Sequence, residues 1–341
     1  MRSPRIRGQH CVKFCSMNYR ITPRVSVVIP VYNGAKHLER ALDSALAQTM
    51  LDLEIIVVDD GSSDATFEVA CRVATRDSRI RLLCNERNLG AAASRNRALG
   101  EARGEWIALL DGDDAWLPNR LERMLAHSGH ADVVSDDVYV MRGWATKVHE
   151  PVFWSFLQLR GLNLTKPCYL SLLDFVRYDL GALQPMIRYS FLKRYQLKYN
   201  PALRITEDYH LYFEMLASGA RWLQLPSAYY FYYHHTGNVT GNALVFARDT
   251  TESTEMLLRR PAIAQDAALV AALERRVQEA HSIMVFAIVR ATLRQRHFGK
   301  FARLLFFQPT YLKPLVVFVV KALVRRIRMK RRRISELEEK A

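Results

Sequence analysis

The first third of the chain alternates short continuous apolar runs with stretches whose apolar positions recur at helical spacing. Val25-Ser-Val-Val-Ile-Pro30 is a β-branched run closed by proline and followed by a turn at Asn33-Gly34, which predicts a buried strand. Leu38, Ala41, Leu42, Ala45 and Leu46 then fall at i, i+3, i+4, i+7 and i+8, one face of a helix. Leu53-Glu-Ile-Ile-Val-Val58 predicts a second strand, and Ser62, Ser63 and Asp64 supply N-cap chemistry for a helix to about Arg76. A third strand is expected at Ile80–Cys84, a helix at Ala91–Ala102 and a fourth strand at Glu105–Leu110. Strand and helix in strict turn, with short connections, predict an α/β fold with a mostly parallel sheet covered on both faces.

Farther on the pattern loosens. Leu117–Leu125 and Val133-Val134 read as helix and strand, while Val152 to Tyr199 reads as irregular and aromatic. Tyr229–Tyr233 fits a buried strand, and Ala243 to Phe298 is helix-forming, with Ala267–Ala280 its clearest stretch.

In open α/β sheets ligands bind beyond the carboxyl ends of the strands. Those positions are polar here: Tyr32 and Asn33 follow the first strand, Asp59 and Asp60 the second, and Asp111, Asp113 and Asp114 the fourth. Carboxylates gathered in one place repel unless a cation joins them. Mg²⁺ binds through one or two carboxylates plus substrate phosphates, so a metal and a diphosphate suit this edge. The plainer readings are a solvated acidic turn at Asp111–Asp114 and capping of the next helix by Asp59 or Asp60.

Composition narrows the field. The 341 residues are 50% hydrophobic, enough for a substantial core, which excludes disorder throughout. The net charge of +15 is almost all contributed by two runs. Residues 1–24 hold six basic side chains and no acidic one, and residues 321–333 hold eight more. The body between is close to neutral, unlike a uniformly basic nucleic-acid binder. Five cysteines with no CxxC pair indicate neither a disulfide framework nor a cysteine zinc site, and read as thiols in a reducing compartment. Residues 1–24 lack the apolar core of a signal peptide, Met17 is an alternative start, and no run of uncharged apolar residues is long enough for an ordinary spanning helix. Residues 28–36 lack the G-x-G-x-x-G turn of a dinucleotide dehydrogenase.

Pro30-Val-Tyr32-Asn33, Val57-Val-Asp59-Asp60-Gly61-Ser62, Asn88-Leu-Gly90 through Arg97, and Asp111-Gly-Asp113 occur in that order. Together with Glu207-Asp208 and Tyr233-His-His235-Thr-Gly237-Asn238, they resemble family 2 glycosyltransferases with the GT-A fold, over about residues 25–240. The resemblance implies a nucleotide-sugar site built from Pro30, Tyr32, Asn33, Asp59, Asp60, Arg95 and Asp111. In it Tyr32 would stack on the base, Asp60 would read it, Arg95 would face phosphate and Asp111 would lie near the ribose. It implies Asp113 and His235 at a divalent metal, Mg²⁺ or Mn²⁺, and Asp208 as the general base of an inverting transfer. Tyr233 stands where the family often has arginine. The Gln-x-x-Arg-Trp motif of processive synthases is absent, because Ser218 occupies the glutamine position before Arg221-Trp222, so single transfer is expected.

The expected division is a basic segment at 1–24, a GT-A catalytic domain at 25–242, a helical appendage at 243–308 and an apolar-basic tail at 309–341. Within the tail, 315–333 joins Leu315–Val320 to the cation cluster and suits a lipid interface; a docked helix with a solvated end is the alternative. The expected activity is metal-dependent transfer from a nucleotide-diphospho-sugar, a UDP-sugar above all, to a saccharide or lipid-linked acceptor. That places the protein in surface polysaccharide or lipopolysaccharide assembly, without nucleic acid, at the cytoplasmic face of the membrane. A nucleic-acid- or anionic-surface-binding protein and a catalytically silent sugar-nucleotide sensor are the competing readings.

Overall fold

The computed structural model describes residues 22–142, 153–234 and 242–294. The chain forms two compact units that divide between Thr236 and Gly237. The first opens with β1 (Val25–Val31), α1 (Leu38–Leu46), β2 (Leu53–Asp59), α2 (Thr66–Ala74), β3 (Ile80–Cys84), α3 (Ala91–Glu101) and β4 (Trp106–Leu109). It continues through β5 (Ala115–Trp116), α4 (Arg120–Ala126), β6 (Val133–Arg142), β7 (Phe153–Ser155), α5 (Phe156–Arg160), β8 (Cys168–Leu170) and α6 (Leu172–Tyr178). It closes with β9 (Met186–Arg188), α7 (Tyr189–Arg194), α8 (Glu207–Ala217) and β10 (Trp222–His234).

One sheet carries the ten strands found among the described residues, its main path running β3-β2-β1-β4-β9-β6-β10-β5, with β7 on β6 and β8 on β10. The β3-β2-β1-β4 part is parallel, and every residue of β2 is buried, as expected for strands covered on both faces. Beyond β4 the sheet is mixed: β9 runs antiparallel to both β4 and β6, whereas β6 and β10 are parallel. The stretch read as irregular between Val152 and Tyr199 in fact holds two short strands inserted at sheet edges, the bridging β9 and three short helices. The partners of β8 and β9 lie more than fifty residues away in sequence, and three-residue strands carry too little periodicity to reveal themselves.

Helix α2 starts at Thr66 rather than Ser62, because residues 62–64 are used as a bracket. Asp64 accepts from the Thr66 backbone N–H at 3.0 Å and from the Ala35 N–H at 3.2 Å, tying the loop after β1 to the loop after β2. On the other side of the unit, α8 buries Tyr209, Leu211, Tyr212, Phe213, Met215 and Leu216. Phe175 of α6 meets the Tyr209 ring at 4.9 Å and Trp222 at 5.8 Å, while Tyr212 meets Trp222 edge-on at 5.3 Å. This aromatic packing fixes where α8 begins. Trp222 is therefore core, and Arg221 beside it is exposed and pairs with Asp132 at 3.4 Å.

A buried ion pair ties together elements of the β9-β6-β10-β5 side of the sheet. Arg120 of α4 bonds Asp136 of β6 at 2.8 Å, with both side chains essentially inaccessible to solvent. Its guanidinium also donates to the Gln184 carbonyl and lies 4.7 Å from the Trp116 ring centroid. Asp136 in turn accepts from the Tyr229 N–H of β10 at 3.0 Å.

The second unit contains α9 (Ala243–Leu258), α10 (Pro261–Ala264) and α11 (Ala267–Arg294). Helix α11 contains all of the predicted Ala267–Ala280 stretch. Between α9 and α11, buried Arg276 donates to Thr254 Oγ1 at 2.6 Å. No helix among the described residues is long and apolar enough to cross a membrane. The 309–341 tail, with its 315–333 surface segment, and most of residues 1–24 lie outside the described residues.

Arg120→Met leaves Asp136 charged and buried without its partner, and should cost about 3–5 kcal/mol of unfolding free energy. Arg120→Met/Asp136→Leu should recover a large part of that loss. Urea unfolding of both variants measures this, and a single variant within about 1 kcal/mol of the parent would contradict it.

Candidate active site

The carboxyl ends of β1, β2 and β4 meet at one edge. Val31 pairs with Asp59, the Asp60 N–H donates to the Val31 carbonyl at 2.8 Å, and the Leu110 N–H donates to the Val28 carbonyl at 3.1 Å. A Cβ at Gly112 would sit 3.0 Å from the Val31 side chain and 3.3 Å from the Pro30 carbonyl, so glycine lets the turn after β4 pass close to the end of β1. Asn33 adopts a left-handed φ of 49°, which its short polar side chain tolerates. Its carboxamide accepts from the Ser63 N–H at 2.8 Å, so Asn33 shapes the loop. Tyr32, on the same loop, keeps 49% of its surface exposed, and Pro30 is half-buried behind it.

Asp59 and Asp60 are both buried, and each is bonded inside the protein. Asp59 accepts from the Ser62 N–H at 3.1 Å, and burial pushes its carboxyl above the usual range. Asp60 accepts from Asn85 Nδ2 at 2.6 Å, the Leu89 N–H at 2.9 Å and the Gly90 N–H at 2.8 Å. It thus holds the loop that starts α3, and neither acid caps α2, the next helix. An anion there also faces the positive end of the helix dipole. Asn85, which follows β3, passes the connection on by donating to Ser94 Oγ at 2.9 Å. Ser94 precedes Arg95.

Arg95 is the hub. It projects from α3 with 3% of its surface exposed. One guanidinium nitrogen lies 2.7 Å from Asp111 Oδ1 and 3.4 Å from Asp208 Oδ2; the other lies 2.7 Å from Glu207 Oε1. Burial disfavours its charge, but Asp208, Asp111 and Glu207 outweigh that and keep the guanidinium firmly protonated. The fork is turned to three carboxylates. Asn96 exchanges two hydrogen bonds with the Tyr199 backbone, at 2.8 and 2.9 Å, anchoring the approach to α8 against α3.

One cation among three acids leaves the acids short of compensation. Burial pushes the Asp208 carboxyl up to about 8, with Glu207 and Asp111 adding to the rise and Arg95 opposing it. Burial raises Glu207 as well. Asp208 Oδ1 and Glu207 Oε2 are buried without a hydrogen-bond partner among the described residues. Both stand in the first turn of α8, where acids are favoured by the dipole.

The Asp111–Asp114 turn is not uniformly open. Asp114 faces inward, accepting from the Tyr230 hydroxyl at 2.6 Å and the Tyr233 N–H at 2.9 Å. Burial and then the charges of Asp113 and Asp111 push its carboxyl well above the usual range. Asp113 is half-buried, and its carbonyl accepts from Arg40, whose guanidinium carbon lies 3.7 Å from the centre of the Tyr233 ring. Among the described residues no group of three or more His, Cys, Asp or Glu side chains could hold a metal by itself. His235 lies outside the described residues. A single hard carboxylate beside an acid-rich turn fits a divalent ion that arrives with phosphate oxygens, rather than one caged by protein alone.

Sequence reading missed Gln184, whose amide donates to Asp111 Oδ2 at 3.1 Å, because its segment carries no motif. Asn85 could have been found by extending the strand-end rule to β3.

Residues 26–170 match the model for Glycosyl transferase family 2. It is 38% identical to the succinoglycan biosynthesis protein ExoO of Rhizobium meliloti (strain 1021), over 64% of this chain and 63% of that one. It is 29% identical to ExoU of the same organism, also a succinoglycan biosynthesis protein, over 81% of each. The chain thus spans 63% of the length of the first relative. In structure it resembles S. aureus TarS 1-349 in complex with UDP-GlcNAc, with a TM-score of 0.58 at 20% identity over 87% of this chain and 80% of that one. It also resembles the mannosyltransferase PcManGT of Pyrobaculum calidifontis in complex with GDP-Man and Mn²⁺, with a TM-score of 0.54 at 19% identity over 89% and 88%. The fold is GT-A.

The Asp208 titration has a defined consequence for stability. Its ordinary value is 3.8, so between about pH 4 and pH 8 the folded state holds a proton that the unfolded state has released. Stability from this group is present below that window and declines as pH rises through it. Melting curves should therefore show the parent losing stability relative to Asp208→Asn from pH 5 to pH 8, then no further change above; a constant difference across that range would contradict the assignment.

Proposed function

We propose that this protein is an inverting glycosyltransferase that moves one sugar from a nucleotide-diphospho-sugar to a saccharide or lipid-linked acceptor during polysaccharide assembly. The carrying observation is that Arg95 draws Asp111, from the end of β4, and Asp208, from the start of α8, onto one guanidinium. Strand-end and helix-start carboxylates thereby face a common mouth.

Asp208 is assigned as the general base. A carboxyl pushed up to about 8 is a stronger base than an ordinary carboxylate, and its ionised form has the affinity to accept a hydroxyl proton. As the acceptor oxygen bonds to the anomeric carbon, its proton passes to the Asp208 carboxylate. The bond from that carbon to the diphosphate breaks on the opposite face, inverting the configuration. Tyr32 offers its exposed ring to the base, with Pro30 and Asn33 shaping the loop. Asp59 and Asp60 form the floor on that side, Asp60 by fixing residues 89–90. Asp111 is placed for a ribose or sugar hydroxyl, and Arg95 acts by holding the acids in position.

Asp113 would hold a divalent cation, Mg²⁺ or Mn²⁺, together with His235. When bound, such an ion supplies positive charge for the oxygens of the departing diphosphate. The relatives' names, both in succinoglycan biosynthesis, support a surface-polysaccharide product. Peripheral attachment through 315–333 would bring the catalytic domain at 25–242 to a lipid-linked acceptor, with 243–308 as a helical appendage.

Asp208→Asn should keep nucleotide-sugar binding and lose transfer by at least about a hundredfold, and turnover near that of the parent would reject Asp208 as base. Asp113→Ala should abolish the part of nucleotide-sugar affinity that depends on Mn²⁺. Calorimetric titrations with and without the ion measure it, and identical metal dependence in parent and variant would remove Asp113 from the metal site.

A further inference from the structure

Gln184 precedes β9 and is 93% buried, as its 7% relative exposure shows. Its main chain is fixed by the Arg120 guanidinium, which donates to its carbonyl while bonded to Asp136 at 2.8 Å. Its side-chain nitrogen donates to Asp111 Oδ2 at 3.1 Å, and the other Asp111 oxygen is taken by Arg95 at 2.7 Å. That contact settles which way the amide faces. Turned over, it would set a carbonyl oxygen against a carboxylate, two acceptors with no proton between them. The atom left over is Oε1, a buried acceptor with no hydrogen-bond partner among the described residues. An orphaned acceptor held rigidly beside a half-exposed carboxylate is costly unless something else donates to it. Asp111, partly exposed, lies directly beside this buried acceptor.

We infer that Gln184 is a specificity-determining residue of the donor pocket: its amide N–H positions Asp111, and its Oε1 accepts a hydrogen bond from a sugar hydroxyl of the bound nucleotide or nucleotide sugar. The assignment rests on the donor reading above. It gives the pocket a neutral acceptor alongside the charged one, selecting ligands that carry a hydroxyl within reach of both. The Arg120 to Asp136 pair is then the support that keeps this acceptor from turning away.

The test uses the full-length protein. UDP-glucose, UDP-N-acetylglucosamine and GDP-mannose are titrated calorimetrically, each beside its sugar-free nucleoside diphosphate, against the parent and Gln184→Met, which keeps side-chain length without the amide. For whichever donor binds, Gln184→Met should weaken affinity about tenfold, raising KM for that donor more than it lowers kcat. A loss shared equally by the diphosphate places the hydroxyl on the ribose, and a loss confined to the nucleotide sugar places it on the transferred sugar. Gln184→Asn, one methylene too short to serve both partners, should show the same loss in part, and carries the test if Gln184→Met does not fold. Parent affinity retained within twofold by a folded variant for both ligands overturns the assignment alone. Failure of the parent to bind any member of the panel overturns the donor reading, and this assignment with it.

Discussion

The site depends on the contact between one buried guanidinium and three carboxylates. Arg95 spans the gap between the end of β4 and the start of α8, nearly a hundred residues apart in sequence, through bonds of 2.7 Å to Asp111 and Glu207. A planar fork with donors on both sides can do this, where the single ammonium of a lysine could not. Removing it would leave three acids in a poorly hydrated space with no cation, so the same contact that positions the acids also makes their proximity tolerable.

The hub is itself held on two sides. From β2, Asp60 grips the loop that opens α3, and Asn85 links that carboxylate to Ser94, fixing the turn of helix that carries Arg95. From the opposite half of the sheet, the Arg120 to Asp136 pair fixes Gln184 and through it the second oxygen of Asp111. A carboxylate bonded on both oxygens by elements of different origin has little freedom to swing, which is the preorganisation that electrostatic catalysis needs. The cost is borne in protonation: with acids in excess, Asp208 and Glu207 hold protons that exposed acids would release. An acid held this way ionises only well above the usual carboxylate range, at the expense of stability as it does so.

The expectations drawn from the residues and the observed arrangement part company in instructive places. The strands β1 to β4, the helices between them and their mostly parallel pairing were legible, because each element announces itself in local periodicity and strand-end residues lie next to it in the chain. The insertion between Val152 and Tyr199 was not, since β7, β8 and β9 are edge or bridging strands stabilised by partners such as Tyr139, Trp222 and Trp106. Asp114 looked like part of an open acidic turn; it faces inward because Tyr230 and Tyr233 of β10 supply its donors.

Local order of apolar and polar residues thus determined the alternation of elements, the edge where chemistry would gather and the acids that would gather there. Only the tertiary structure decided which way the charged side chains face: Arg95 inward to the acids, Asp60 to the start of α3, and Gln184 onto Asp111. The physical reason is that periodicity encodes burial along one element, whereas the partner of a buried charge is chosen by desolvation and hydrogen bonding among elements that meet only after the sheet has closed.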